Sequence, residues 1–450
     1  MNQEELAKRL TFHNPWWETG KVPQVFIPAF TRFAFDEVLR FSTLDRIVIM
    51  KGPRRTGKTT ILYQLIDRLL TQEVSPKDIL YLSLDDPLLT GVSLDVIFQA
   101  FEFIRGKLLK NPQSYIFLDE AQFLSNWELT VKLYYDRKYP MRFTVSGSAV
   151  SLLTQKQESL AGRTIEKTLL PFSFAEMVLL AEKNTTPLKQ AIDALPSIQA
   201  LTAYPASLIP YESALSLHLQ QFLQFGGFPH LPTTPKELWT RLLQEDIVQK
   251  VIFRDLVTRF GIRDPQSLEK LFGFIAQTTS GVMNVTTLAS NLSLSRPVID
   301  QYLSYLEQSF LLFRLAKFSH SPKERMRSNP KGHCIDPGLA TLFGASVDQR
   351  LETAVADHLF SRYGADHLLF WRDQHNEVDL IIEGTPLLPI EVKNTNHQTL
   401  PSGLAHFINR YHLPVGMVVY HGSFTTMLLG KNAKIYFIPA SLFLLTSSHS

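Results

Sequence analysis

MKGPRRTGKTTIL, residues 50–62, carries a glycine, four intervening residues and then Gly-Lys-Thr, which sets Gly52, Gly57, Lys58 and Thr59 at one spacing. Immediately before the first glycine, RIVIM (46–50) is a short apolar run rich in β-branched residues and reads as a buried strand. After the loop, KTTILYQLIDRLL (58–70) has apolar side chains at 61, 62, 65, 66, 69 and 70, the spacing of one helix face. A glycine loop between a strand and a helix lets backbone N–H groups close on phosphate oxygens, with the helix N-terminus behind them. The candidate nucleotide-binding segment is therefore Gly52, Pro53, Arg54, Arg55, Thr56, Gly57, Lys58, Thr59 and Thr60. In it Lys58 reaches the β- and γ-phosphates, and the Thr59 hydroxyl is placed to ligate Mg2+. The plainer account is a βα turn with a surface lysine, and the flanking strand and helix speak against it.

Further along, SYIFLDEAQ (114–122) is an apolar strand that ends in Asp119 and Glu120. A carboxylate at the C-terminal end of a strand in a parallel sheet lies on the edge where α/β proteins bind ligands. Asp119 suits the outer shell of the Mg2+ as a metal-site residue, and Glu120 suits polarising an attacking water. DILYLSL (78–84) and RFTVSGS (142–148) read as further strands, alternating with helical stretches at 93–109 and 127–139. That alternation predicts an α/β domain with a parallel sheet covered on both faces. Ser146 and Ser148 end the last of these strands, close to where a γ-phosphate would sit.

The whole chain sets broader bounds. Its 450 residues are too many for one ordinary core and suggest about three domains. Apolar residues make up 45% and charged residues 19%, the proportions of a globular protein rather than a disordered or fibrous one. No run approaches the ~18 unbroken apolar residues of a membrane span, and MNQEELAKRL lacks the apolar stretch of a signal peptide. A single cysteine, Cys334, excludes an internal disulfide and fits a reducing compartment, so the expected location is the cytoplasm. A net charge of +3 does not by itself point to nucleic acid, and no metal-type Cys/His spacing is present.

NPWW (14–17), GPRRTGKTT (52–60), ILYLSLDDP (79–87), FLDEAQ (117–122), VSGSA (145–149), SLAGR (159–163) and LPFSFAEM (170–177) together resemble the archaeal and bacterial AAA-type ATPase family over nearly the full chain. The resemblance implies the same roles for Lys58, Thr59, Asp119 and Glu120. It also implies a role for Arg163 near the γ-phosphate of its own or a neighbouring subunit. Because the resemblance is to ATPases and no Asn-Lys-x-Asp signature appears, ATP is expected rather than GTP.

Residues 180–245 are weakly patterned, and the resemblance implies a helical lid or linker there. From 284, NVTTLASNL, SLSR and PVIDQYLSYLEQSFLL read as a helix-turn-helix, its second helix capped by Ser295 with Pro297 in the first turn. Val298, Ile299, Tyr302, Leu303 and Leu306 give that helix its core face. Arg314, Lys317, Lys323, Arg325, Arg327 and Lys331 follow against one acid, Glu324. A basic ribbon beside a helix-turn-helix is similar to a winged-helix domain and suits phosphate contacts. A solvated hairpin on a protein-interaction module accounts for it equally well.

EVDLIIEGTPLLPIEVK (377–393) reads as a hairpin turning at Gly384-Thr385-Pro386. Pairing symmetric about 385 sets Asp379 opposite Glu391 and Glu377 opposite Lys393. Period-2 alternation then sends Val378, Leu380, Ile382, Leu388, Ile390 and Val392 to one face and the four charged residues to the other. Opposed carboxylates are unfavourable unless a cation lies between them, and a divalent ion or Lys393 would supply one. The arrangement resembles the PD-(D/E)xK nuclease core, with Asp379, Glu391 and Lys393 as motif residues and Glu352 as a fourth. In that family the carboxylates bind Mg2+ and the lysine positions water.

The sequence thus predicts an N-terminal segment (1–45), an AAA-type P-loop domain (46–180), a helical linker (181–245), a winged-helix-like domain (246–345) and a small nuclease-like α/β domain (346–450). The expected function is a Mg2+-dependent ATPase that couples ATP to a DNA- or protein-contacting C-terminal module, oligomeric or not. An ATP-assisted DNA nuclease and a non-hydrolysing protein-docking switch are the two alternatives.

Overall fold

The computed structural model describes residues 3–110, 112–148, 160–229 and 235–446. Ala149 and Ser159 of the quoted motifs, and residues 230–234 of the linker, lie outside them. The chain divides into two compact units, Met1–Leu169 and Leu170–Ser450.

In the first unit, β1 (Ile47–Gly52), β2 (Ile79–Ser83), β3 (Ser114–Asp119), β4 (Met141–Ser148) and β5 (Thr164–Thr168) form one sheet in the order β2-β3-β4-β1-β5. Every neighbouring pair is parallel. Helices on both faces bury the strands, which is why they read as continuous apolar runs rather than alternating ones. Helix α3 (Ala34–Thr43) precedes β1, and helix α4 (Lys58–Thr71) begins directly after Gly57, with its Ile61, Leu62, Leu65 and Ile66 in the core. Helix α5 (Leu94–Arg105) starts at Ser93, whose hydroxyl accepts from Val96 N, and stops at left-handed Gly106, short of the expected 109. Helix α6 spans Trp127–Asp136.

The N-terminal segment belongs to this unit, and it explains the NPWW motif. β2 is an edge strand, and unpaired edges invite association with other strands. Helices α1 (Gln3–His13) and α2 (Trp16–Thr19) present side chains that replace a neighbouring strand. Asn14 Oδ1 accepts from Tyr81 N at 2.7 Å, and Asn14 Nδ2 donates to Tyr81 O at 2.9 Å. The Trp17 indole donates to Ile79 O at 2.8 Å, and Ser83 N donates to His13 Nδ1 at 3.3 Å. The Trp16 indole also points its N–H at Ile79 O, at 3.4 Å, so the side chains of His13, Asn14, Trp16 and Trp17 together meet backbone groups of residues 79, 81 and 83.

The second unit opens with helices. LPFSFAEM is a capping box: the Ser173 hydroxyl accepts from Glu176 N at 3.2 Å, while Ser173 N donates to Glu176 Oε2 at 3.0 Å. A nine-stranded mixed sheet follows, running from β6 (Gly281–Val282) at one edge to β13 (Thr425–Leu429) at the other. Helix Pro265–Gln277, β6 (Gly281–Val282), helices Val285–Leu292 and Arg296–Gln308, β7 (Leu312–Lys317) and β8 (Lys331–Cys334) succeed one another, and the three strands pair antiparallel. Helix Arg296–Gln308 buries Ile299, Tyr302, Leu303 and Leu306 as predicted, while Ser295 makes no side-chain capping bond. The basic ribbon is not a simple hairpin, because a short helix, Pro322–Arg327, joins β7 to β8.

Helix Val347–Tyr363 leads into β9 (Leu368–Arg372), β10 (Glu377–Ile382) and β11 (Leu388–Val392). Beyond helix Ser402–Tyr411, β12 (Val415–Tyr420), β13 (Thr425–Leu429) and β14 (Ala433–Pro439) complete the sheet. β7 pairs in parallel with β9 through Ala316–Leu369 and Lys317–Phe370, so one sheet crosses the expected boundary at 345. β10 and β11 pair as Leu380–Ile390 and Ile382–Leu388, the register symmetric about residue 385. Strict alternation fails, however. β10 slips register against β9 between Val378 and Ile381, and both residues enter one apolar cluster with Leu404 and Phe407.

Replacing Asn14 by Ala leaves the Tyr81 N–H and C=O without partners in a fully buried site. Each buried unsatisfied group costs ~1–3 kcal/mol, so Asn14→Ala is expected to destabilise the first unit by about 2–3 kcal/mol in denaturant unfolding.

Candidate functional site

The parallel sheet gathers the predicted residues at one edge. β1 ends in Gly52, which no larger residue can replace: its φ is 153°, and a Cβ would stand 2.2 Å from Leu169 O. Leu169 N donates to Lys51 O at 2.7 Å, which holds the chain after β5 against that point. Through the loop, Pro53 O accepts from the Thr56 hydroxyl at 3.0 Å, and Arg32 Nη1 donates to Thr56 O at 2.7 Å. Arg55 and Gly57 both have positive φ, 60° and 91°, and Thr60 follows in the first turn of α4. Lys58 Nζ bridges Gly52 O at 3.1 Å and Pro53 O at 2.7 Å, so the ammonium spans the mouth of the loop. Arg54 lies close enough to Glu120 to act on its charge.

Asp119, 2% exposed, is the hub of this edge. Its Oδ2 accepts from the Thr59 hydroxyl at 2.7 Å and from the Tyr81 hydroxyl at 2.9 Å. Its Oδ1 accepts from Ser146 Oγ. The predicted Mg2+ pair, Thr59 and Asp119, is thus in direct contact, and these donors fit an ion held by the Thr59 hydroxyl with Asp119 behind it. Ser148 is paired with Gly52 across β4 and β1, beside the start of the loop. Glu120 stands at the turn after β3 with φ 53°, and its carboxylate accepts from Gln122 Nε2. Burial, with Asp119 alongside, raises its pKa against the opposing pull of Lys58 and Arg54. Sequence reading missed Tyr81, whose position was legible only as one of several apolar residues in a strand.

Arg163 is not brought to this edge. Its guanidinium clasps Asp136 at 2.6 and 3.1 Å, and its carbonyl accepts from Ile47 N. Ile47 begins β1, and at ~3.3 Å per residue that end of the strand is ~16 Å from Gly52. A role toward the γ-phosphate of its own chain is therefore corrected: the strand direction places Arg163 at the opposite end of the sheet.

The C-terminal motif residues do converge, but not on a wet face. Asp379 and Glu391 are 7% and 5% exposed. Val392 N donates to Asp379 Oδ2 at 2.9 Å, and Asp379 N approaches Glu391 Oε2 at 3.4 Å. Lys393 meets Glu391, at 2.7 Å, rather than Glu377. The cation between the acids is Lys331, whose Nζ lies 2.6 Å from Glu352, 2.9 Å from Glu377 and 3.4 Å from Asp379. Burial alone would lower the Lys331 pKa, but Glu352, Asp379 and Glu377 outweigh it and hold the ammonium charged. Burial and the Asp379 charge push Glu352 up to about 8 and Glu391 up to about 7. Lys331 is therefore no phosphate contact, correcting its place in the basic ribbon. Arg314 pairs with Glu307, Arg325 with Glu383 at 2.9 Å and Lys317 with Glu324 at 3.8 Å, which leaves Lys323 and Arg327 as the exposed ribbon cations without a recorded ion pair among the described residues.

Residues 44–178 match a family model described as an AAA domain. The matched segment contains the parallel sheet, the Gly52–Thr59 loop and Asp119. Residues 216–349 and 348–443 match two models described as domains of unknown function (DUF8612 and DUF4143). The chain is 25% identical over 350 residues to the uncharacterized protein MJ1544 of Methanocaldococcus jannaschii, covering 76% of this chain and 73% of that one. It is 24% identical over 392 residues to an uncharacterized protein of Haemophilus influenzae, covering 83% and 90%. Among solved structures it is similar to the Aeropyrum pernix ORC1 protein in complex with DNA, at 11% identity and TM-score 0.30 over 80% of this chain and 94% of that one. AMPPCP-bound DnaA from Aquifex aeolicus gives 13% identity and TM-score 0.27 over 66% and 93%. Structural likeness at this level carries no argument about function. No helix among the described residues is long and apolar enough to cross a membrane.

The Tyr81 hydroxyl donates to Asp119 and so positions its carboxylate. Partners that orient a metal-site residue typically contribute ~10–100-fold to metal affinity. Tyr81→Phe is expected to raise about tenfold the Mg2+ concentration that half-saturates binding of a fluorescent ATP analogue; an unchanged Mg2+ requirement would remove Tyr81 from the site.

Proposed function

We propose that this protein binds ATP with Mg2+ and hydrolyses it, and that the second unit couples this cycle to a protein partner. The observation that carries the first part is the contact of Thr59 with Asp119 at 2.7 Å, beside Lys58 and Glu120 on one edge of a parallel sheet. Lys58 exchanges its two loop carbonyls for phosphate oxygens. Thr59 and Asp119 are the residues that would hold Mg2+, which when bound would screen the phosphate charge. Glu120 orients the water and takes its proton, and Ser146 fixes the Asp119 carboxylate beside it. Arg163 has no part in this chemistry within a single chain.

The division of the second unit into a helical linker (181–245), a winged-helix-like domain (246–345) and a nuclease-like domain (346–450) is part of this proposal. The order helix, strand, helix, helix, strand, strand supports the middle assignment. A protein partner is favoured over DNA because four of the six ribbon cations are tied to acids of their own chain. With Lys323 and Arg327 remaining, the logarithmic salt slope of any DNA affinity is expected to be no steeper than about two, measured by fluorescence anisotropy. A slope of five or six would restore the DNA reading.

Steady-state ATP turnover tests the enzyme assignment. Glu120→Gln keeps the shape of the side chain but cannot accept the proton, so ATP should bind normally while turnover falls ~10²–10⁴-fold. Lys58→Ala should abolish ATP binding in a folded chain. Because the Glu120 base must be ionised and its pKa is raised, wild-type turnover should decline with falling pH at values above the ordinary carboxylate range. Wild-type rates in Glu120→Gln would mean that Glu120 is not the base, whereas ATP binding without turnover in the wild-type protein would leave a nucleotide switch rather than an ATPase.

A further inference from the structure

We infer that Lys331 is the resident cation of the C-terminal carboxylate cluster, occupying the place that the nuclease-like resemblance would give to a divalent metal, and that this domain works without one. The resemblance implies an ion held among Glu352, Asp379 and Glu391. The residues do not fit that role in this structure, because Glu352 and Asp379 already hold the Lys331 ammonium at 2.6 and 3.4 Å, with Glu377 at 2.9 Å, and Glu391 holds Lys393 at 2.7 Å. Among the described residues no group of three or more His, Cys, Asp or Glu side chains is arranged to hold a metal ion.

Three features make this ammonium a fixture. Lys331 is 1% exposed, and a buried lysine persists only where carboxylates neutralise it. Its main chain cannot withdraw, because β8 is the middle strand of three and pairs Lys331 with Leu315 on one side and Val282 on the other. The charges nearly balance as they stand. Glu352, Glu377, Asp379 and Glu391 face Lys331, Lys393 at 2.7 Å from Glu391, and Arg372 at 3.7 Å from Glu377. A dication entering beside Lys331 would meet a like charge that has no route to solvent. The lysine also comes from β8, whereas the acids come from helix Val347–Tyr363 and strands β10 and β11. Its ion pairs therefore tie the two halves of the nine-stranded sheet together. A domain built this way offers a rigid surface and lacks the metal on which nuclease chemistry of this type depends.

Mn2+ binding to the nucleotide-free full-length protein, followed by electron paramagnetic resonance and by melting temperature, tests the inference. Wild type should bind no Mn2+ that Asp379→Asn removes, and its melting temperature should not move with the ion. Lys331→Met, close in length and uncharged, should gain one Mn2+ per chain and a metal-dependent rise in melting temperature. Adding Asp379→Asn to that variant should abolish both. If Lys331→Met unfolds without metal, Mn2+ should restore the fold. Wild-type Mn2+ binding that depends on Asp379 would overturn the inference. So would a folded Lys331→Met that gains no site, or an unfolded one that Mn2+ does not rescue.

Discussion

Parallel pairing of β1, β3 and β4 is the constraint on which the first unit depends. Parallel strands all finish at the same edge, so the ends of β1, β3 and β4 bring Gly52, Asp119 and Ser146 together although they are far apart in sequence. Asp119 then needs no long-range search for partners. Ser146 reaches it from one neighbouring strand, Tyr81 from the other, and Thr59 from the helix that the glycine loop launches. The same geometry removes Arg163 to the far edge, since it precedes β5 rather than following it.

The second unit is organised by the opposite problem, that of keeping charge out of water. Two acids opposed across β10 and β11 are tolerable only if a cation lies within reach. Lys331 provides it from a strand more than forty residues earlier. What would otherwise be two sheets becomes one, because the antiparallel trio around β8 must lie beside β9 for its lysine to reach those acids.

Local patterns in the sequence carried most of the first unit. The run RIVIM, the glycine spacing and the apolar periodicity of residues 58–70 each act over a few residues, so strand, loop and helix were legible, as were Lys58, Thr59, Asp119 and Glu120 as one group. The hairpin register about residue 385 was legible for the same reason. Tyr81 and Lys331 were not. Each does its work through a single polar atom on a partner distant in sequence, and neither stands out locally: Tyr81 is one more aromatic in a strand, Lys331 one more cation in a basic run. Burial of Asp379 and Glu391 was not legible, because Glu352 of helix Val347–Tyr363 and Lys331 of β8 join this cluster from elsewhere in the chain, which alternation within the hairpin cannot register.

The side chains of His13, Asn14, Trp16 and Trp17 serve as an imitation sixth strand along β2. A chain shortened past Asn14 would keep the glycine loop and Asp119 in its sequence, yet it would lose the buried Leu6 and Leu10 and its sheet would expose a bare, hydrogen-bonding rim. Such rims recruit one another into aggregates. The lower size limit of this domain is thus set by colloidal behaviour rather than by chemistry.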